Sequence, residues 1–128
     1  MRPLPPTFPR RSSWTCQSDW GAGTVDAVFN ANMIHITPWR CCVGLIAGAA
    51  RHLSLQGTLI VYGPFRVAGS HTATSNVEFD LSLKARDPSW GVRDCEAVVG
   101  LAETAGLALD ERVAMPANNE TRVFRRIR

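Results

Sequence analysis

His35 is the residue best placed to move a proton near neutral pH, because an imidazole changes charge there. It stands in the stretch DAVFNANMIHITPWR (26–40), between an apolar run and a helix start. If the run is a strand of an open α/β sheet, its polar tip, Asn32 to His35, borders the crevice where such sheets hold ligands. There His35 would act as a base or hold an acceptor; equally, it would fill the turn before the helix. His71 falls in a long segment marked by Gly63, Pro64 and Gly69, where it could face a substrate. His52 lies late in a helical pattern, where an imidazole meets the helix dipole. No grouping of His, Cys and carboxylates has metal-ligand spacing, and no Ser, His and Asp arrangement is readable, so metal and hydrolase chemistry lack sequence support.

The elements that must position these residues follow from periodicity. VDAVFNANMIHI reads as a strand, nearly continuously apolar in its first half, as expected of a strand covered on both faces. Thr37 is expected to cap the next helix and Pro38 to occupy its first turn. Trp39, Cys42, Val43, Ile46 and Ala49 then recur at three and four. Gln56-Gly57 would close this helix, and TLIVYG supplies a second strand rich in β-branched residues. Strand, helix and strand make a βαβ unit with two parallel strands. GPFRVAGSHTATS is long for a connection and suggests a functional loop or lid. Helices follow in NVEFDLSLKARD and after Pro88, the latter with Cys95, Val98, Val99 and Ala102 on one face and Gly106 at its end. LALDERVAMP and ETRVFRRI, parted by Ala117-Asn118-Asn119, read as an antiparallel pair.

Bulk properties set outer limits. At 128 residues the chain is one domain at most, and 45% hydrophobic with 20% charged residues describes a globular chain. The net charge of +3 comes from arginines near both termini, with no interleaved aromatics, so nucleic-acid binding ranks lowest among the readings. Four cysteines without disulfide or zinc spacing suggest free thiols, a reducing compartment and a cytoplasmic protein. The longest apolar run is too short to span a bilayer. Residues 1–23 hold four of the eight prolines and read as an irregular Pro/Arg-rich lead-in.

The words NMIHITPW, YGPF, SNVEFDLSLKARDPSWGVRD and MPANN followed by VFRR resemble the methyltransferase-like 26 family over residues 24–126. That resemblance implies the carboxyl half of a Rossmann-like class I methyltransferase sheet, ordered β-α-β-α-α-β-β, mostly parallel with an antiparallel final hairpin. It implies S-adenosylmethionine as cofactor and an unknown methyl acceptor. Methyl transfer is an in-line displacement from a sulfonium, so the protein must chiefly position the acceptor and, where needed, remove its proton. By the resemblance, Asn30, Ala31 and Asn32 meet the methionine part of the cofactor. His35 and Tyr62 stand as catalytic candidates at the two strand tips, and Gly63, Pro64 and Phe65 continue the wall of the crevice. Asn76, Asp80, Arg86, Trp90 and Arg93 would form a substrate pocket, the arginines recognising a carboxylate or phosphate, or would make caps and ion pairs that hold the loop closed.

The family's glycine-rich loop and ribose-binding acid have no clear counterpart. Gly21 and Gly23 form a GxG that precedes a strand instead of following one, and Asp19 is a weak match for an acid near the adenine. Residues 24–128 thus read as a partial methyltransferase-like domain, truncated at its amino end. Its first strand becomes an apolar edge that could pair with a second copy or a partner chain. A non-catalytic interaction module built on that edge is the alternative to an enzyme.

Overall fold

A computed structural model describes residues 23–128. Residues 1–22, with Asp19 and Gly21 and nearly all of the lead-in read from the sequence, lie outside the described residues. A first strand β1 (Val25–Ala31) is followed by helix α1 (Trp39–His52) and a long strand β2 (Leu53–Gly63). Two short strands, β3 (Phe65–Val67) and β4 (Ser70–His71), precede helix α2 (Thr74–Arg86). Strand β5 (Arg93–Asp94), helix α3 (Cys95–Thr104), strand β6 (Leu107–Ala114), a 3-10 turn at Pro116–Asn118 and strand β7 (Glu120–Arg126) complete the order.

The main sheet has the order β1-β2-β7-β6, and a three-stranded sheet, β4-β3-β5, stands beside it. β1 and β2 are parallel, as a βαβ crossover requires, whereas β2–β7 and β7–β6 are antiparallel, so the sheet is mixed. One face carries the core. Leu59 and Val61 of β2, Phe124 of β7 and Leu107 of β6 pack under Cys42, Ile46 and Ala49 of α1 and Val98 and Ala102 of α3. The period of two in the strands and of three and four in the helices brings those side chains to one layer. On the opposite face of the edge strand β1, Phe29 is 67% exposed.

Four local expectations are corrected. Thr37 does not cap α1: its hydroxyl donates to the Met33 carbonyl at 2.9 Å, and Pro38 takes the cap position with no side-chain bond. Gln56-Gly57 does not separate helix from strand. α1 ends at His52, and the pair sits in an irregular stretch of β2 between Leu53, opposite Val25, and Thr58, opposite Ala27; Gln56 is at φ 71°. The segment read as a loop or lid instead forms the β3–β4 pair, turned by Ala68 and Gly69 at positive φ, and β3 also pairs with β5. Cys41 is disulfide-bonded, while Cys42 and Cys95 are free and buried, so the thiol case for a reducing compartment does not extend to Cys41. No helix among the described residues is long and apolar enough to cross a membrane.

Candidate functional site

The carboxyl end of β1 turns sharply. Asn32 adopts φ 56°, a conformation Asn tolerates, and its amide donates to the Tyr62 carbonyl at the end of β2, 3.0 Å away. The short turn that follows places His35 across the end of β2, only 1% exposed. A Cβ at Gly63 would lie 3.2 Å from His35 Cε1, so glycine there leaves room for the ring. Phe79 of α2 meets the imidazole edge to face at 5.5 Å, and the Gly91 amide donates to the His35 carbonyl at 2.9 Å.

Arg93 fixes this turn. Its guanidinium donates to the carbonyls of Ile34 (2.9 Å), Thr37 (2.6 Å) and Ser89 (2.9 Å) and lies 5.6 Å from the Trp39 ring centroid. Burial lowers the His35 pKa from 6.5 to about 4, with the nearby Arg93 charge adding to the effect. The imidazole is therefore neutral at physiological pH. Its Nδ1 is buried without a hydrogen-bond partner among the described residues.

In front of His35 opens a cavity of about 510 Å³, bounded by Asn32, Pro64, the α2 face from Ser75 to Arg86, and the β6–β7 turn. Such a volume suits a small organic ligand. Ile36, Pro64, Phe79 and Leu83 make its apolar part. The turn is tied to α2: Asn76 donates to the Asn118 carbonyl at 3.3 Å, and the Asn118 side chain to Ser75 at 3.2 Å. Asn119, also in the lining, donates to the Tyr62 hydroxyl at 3.1 Å. Arg86 reaches the same cavity and has no hydrogen bond or ion pair among the described residues.

Asp80 faces away from the opening and organises the support. It is 4% exposed, and it accepts hydrogen bonds from the Val92 amide (2.8 Å), Lys84 (3.0 Å) and His71 (3.2 Å). Burial alone would raise its pKa, yet the Val92 and Lys84 bonds, with help from His71, hold the carboxyl below its ordinary value. Through these bonds one carboxylate joins α2, the β4 strand and the turn before β5. Trp90 and Arg93 line a separate depression of about 390 Å³ with Trp39, Arg66 and Lys84.

Of the residues singled out in the sequence, Asn32, His35, Pro64, Asn76 and Arg86 meet at the cavity. Tyr62 reaches it through Asn119, whereas Asp80, Trp90 and Arg93 stand outside its lining. Asn30 lies behind the tip of β1, with its amide nitrogen 3.3 Å from Met33 Sδ and its Oδ1 buried without a partner among the described residues; Ala31 is exposed. Ile36, Ser75, Phe79 and Asn119 were not identified as pocket residues by sequence. Phe79 alone left a signal, as the one aromatic of the helical segment NVEFDLSLKARD.

The family model described as "Protein of unknown function (DUF938)" matches residues 10–126. The chain belongs to the DUF938 family. Among solved structures, the DUF938 chain is similar to an O-methyltransferase family protein from Burkholderia thailandensis, with 20% identity, a TM-score of 0.70, and 82% of this chain and 31% of that chain covered. It is also similar to an O-methyltransferase family 2 protein from Planctomyces limnophilus in complex with apigenin (16% identity, TM-score 0.73, 81% and 31% covered). CalO1, a methyltransferase in calicheamicin biosynthesis in its SAH-bound form, matches at 19% identity and a TM-score of 0.65, with 79% and 30% covered. The DUF938 chain thus spans less than a third of the length of these proteins and has the α/β fold of the carboxyl-terminal part of methyltransferase-like domains.

S-adenosylmethionine, the cofactor that this fold implies, fits the described residues at one end only. Asn30 Oδ1, buried near the end of β1 with no partner among the described residues, is an acceptor for an ammonium such as that of the methionine part. No counterpart holds the nucleoside: among the described residues β1 and β2 end in Ala31 and Gly63, not in a carboxylate, and residues 32–38 contain no glycine.

Proposed function

We propose that residues 23–128 form the acceptor side of an S-adenosylmethionine-dependent methyltransferase, of the kind that the methyltransferase-like 26 resemblance implies. The carrying observation is the 510 Å³ cavity at the carboxyl ends of β1 and β2, with the neutral His35 set in its wall. When bound, the cofactor supplies an electrophilic methyl group. The chain's own residues hold the acceptor: Phe79, Ile36 and Pro64 exclude water from one side, and Asn32, Asn76 and Asn119 offer amides for orientation. A neutral imidazole can accept a hydrogen bond from an acceptor hydroxyl. With a pKa near 4 it is a weak base, so the positioning of the acceptor carries more of the work than proton removal. The O-methyltransferase neighbours support an oxygen acceptor. The nucleoside half of the cofactor requires residues beyond 23–128.

Calorimetric titration of the folded 128-residue protein with S-adenosylhomocysteine tests this reading. Saturable heat from the wild type that is lost in Asn30→Leu is the expected result; equal heat from both proteins, or none from either, sinks it.

A second reading rests on Phe29, 67% exposed on a strand that pairs with β2 alone among the described residues. In it the β1 edge joins a second copy or another chain. Sedimentation of wild type and Phe29→Lys tests the second copy: an oligomer that Lys dissolves favours this reading, and a monomeric wild type removes self-pairing.

A further inference from the structure

The charge pattern of the cavity goes further than its shape and, resting on the acceptor-side reading, names a class of acceptor. Among the described residues its lining contains no Asp or Glu, and Arg86 is its one permanent cation. Arg86 has no partner among the described residues, while the carboxylates of the same stretch bond elsewhere: Asp80 to Lys84 and His71, and Asp87 to Ser89. An arginine with a free fork beside an apolar cavity is suited to a carboxylate, which it can take through two parallel hydrogen bonds. The same pattern disfavours an ammonium, which would meet like charge and find no counter-ion.

Geometry sets the distance between the two ends of such a ligand. Phe79, whose ring touches His35, and Arg86 lie seven residues apart on one helix. At about 1.5 Å of rise per residue that is roughly 10 Å, so both line one side of the cavity about two turns apart. The apolar side chains lie between Asn32 and His35 at one end and Arg86 at the other.

We propose that the cavity takes a hydroxyl-bearing aromatic carboxylate, with the ring against Phe79, the hydroxyl toward His35 and the carboxylate on Arg86. The specific prediction is selectivity by charge: an anion binds in preference to its neutral ester, and both in preference to the corresponding amine.

The experiment uses three probes of nearly one shape, para-hydroxyphenylpropanoate, its methyl ester and tyramine, titrated into the full chain and followed by tryptophan fluorescence or calorimetry. The acid should bind more tightly than the ester, and tyramine least. Arg86→Gln should weaken the acid roughly ten- to a hundredfold, the worth of a charge-assisted hydrogen-bonded pair, and leave the ester unchanged. Arg86→Lys, which keeps the charge without the fork, should fall between the two. Circular dichroism verifies that each variant is folded, as expected for an exposed side chain without partners.

Tyramine binding as well as the acid, an Arg86→Gln effect equal for acid and ester, or no binding of the acid overturns the proposal. S-adenosylhomocysteine is titrated in parallel. If it binds through Asn30 and the acid does not bind, the acceptor class falls and the methyltransferase reading stands. If the acid binds through Arg86 and S-adenosylhomocysteine does not bind, the reverse holds.

Discussion

Lowering the pH from 7 to 5 should weaken the fold by about 2 kcal/mol through His35 alone. The imidazole has a pKa of about 4 when folded against 6.5 when free. Above 6.5 both states are neutral and the contribution to stability is fully present. As the pH falls from 6.5 toward 4, the unfolded chain takes up a proton that the folded chain refuses, so stability is lost; below 4 both are protonated and the loss is complete. At pH 5 the unfolded imidazole is about 1.5 pH units below its pKa, and each unit is worth about 1.4 kcal/mol, which gives the figure of about 2. The assay is urea denaturation at the two pH values for the wild type and for His35→Phe. Phenylalanine keeps a ring against Phe79, cannot take a proton, and sacrifices no bond at Nδ1, where none exists among the described residues. Contributions from every other group are common to both proteins and cancel. The wild type should lose about 2 kcal/mol relative to the variant between pH 7 and pH 5. A difference between the two proteins that does not change with pH would refute the claim that His35 is held neutral.

Asp80→Asn keeps an oxygen for the Val92 amide but removes the charge facing Lys84 and His71, and should cost about 1–2 kcal/mol in urea denaturation. Because the folded carboxyl titrates below its ordinary value, that cost is full above the free Asp value of 3.8 and disappears as pH falls through the folded pKa; a cost that persists in acid contradicts the network. Arg93→Lys cannot serve three carbonyls with one ammonium and should destabilise the protein by about 1–3 kcal/mol, with amide exchange at Ile34–Thr37 accelerated more than in β7. Uniform acceleration in both places would show that Arg93 has no special hold on the turn.

The frame was legible where periodicity is strong. The three-and-four repeat of Cys42, Ile46 and Ala49 and the Gly106 stop appear at their expected places, and the β-branched TLIVYG lies within β2, which begins earlier, at Leu53. β3, β4 and β5 were not legible, since strands of two or three residues have too few positions to show alternation. At the site, His35 and Arg86 could be picked by type, but not their environments. Arg93 bonds Ile34 and Thr37 from 59 and 56 residues away, a reach no local pattern encodes. Ala117, at φ 61°, sits in a turn whose sequence offered Asn as the positive-φ residue, and the neighbouring Asn118 shares that conformation. The Cys41 disulfide was hidden because adjacent cysteines in a helix reveal no pairing.

The most direct test of the acceptor-side assignment is a crystal structure of the protein grown with S-adenosylhomocysteine and para-hydroxyphenylpropanoate together. The account predicts the sulfur of S-adenosylhomocysteine beside Asn30 and Asn32, with the phenol oxygen turned toward it and the carboxylate on Arg86. Both ligands bound away from the ends of β1 and β2, with Asn32, His35 and Arg86 untouched, would contradict it.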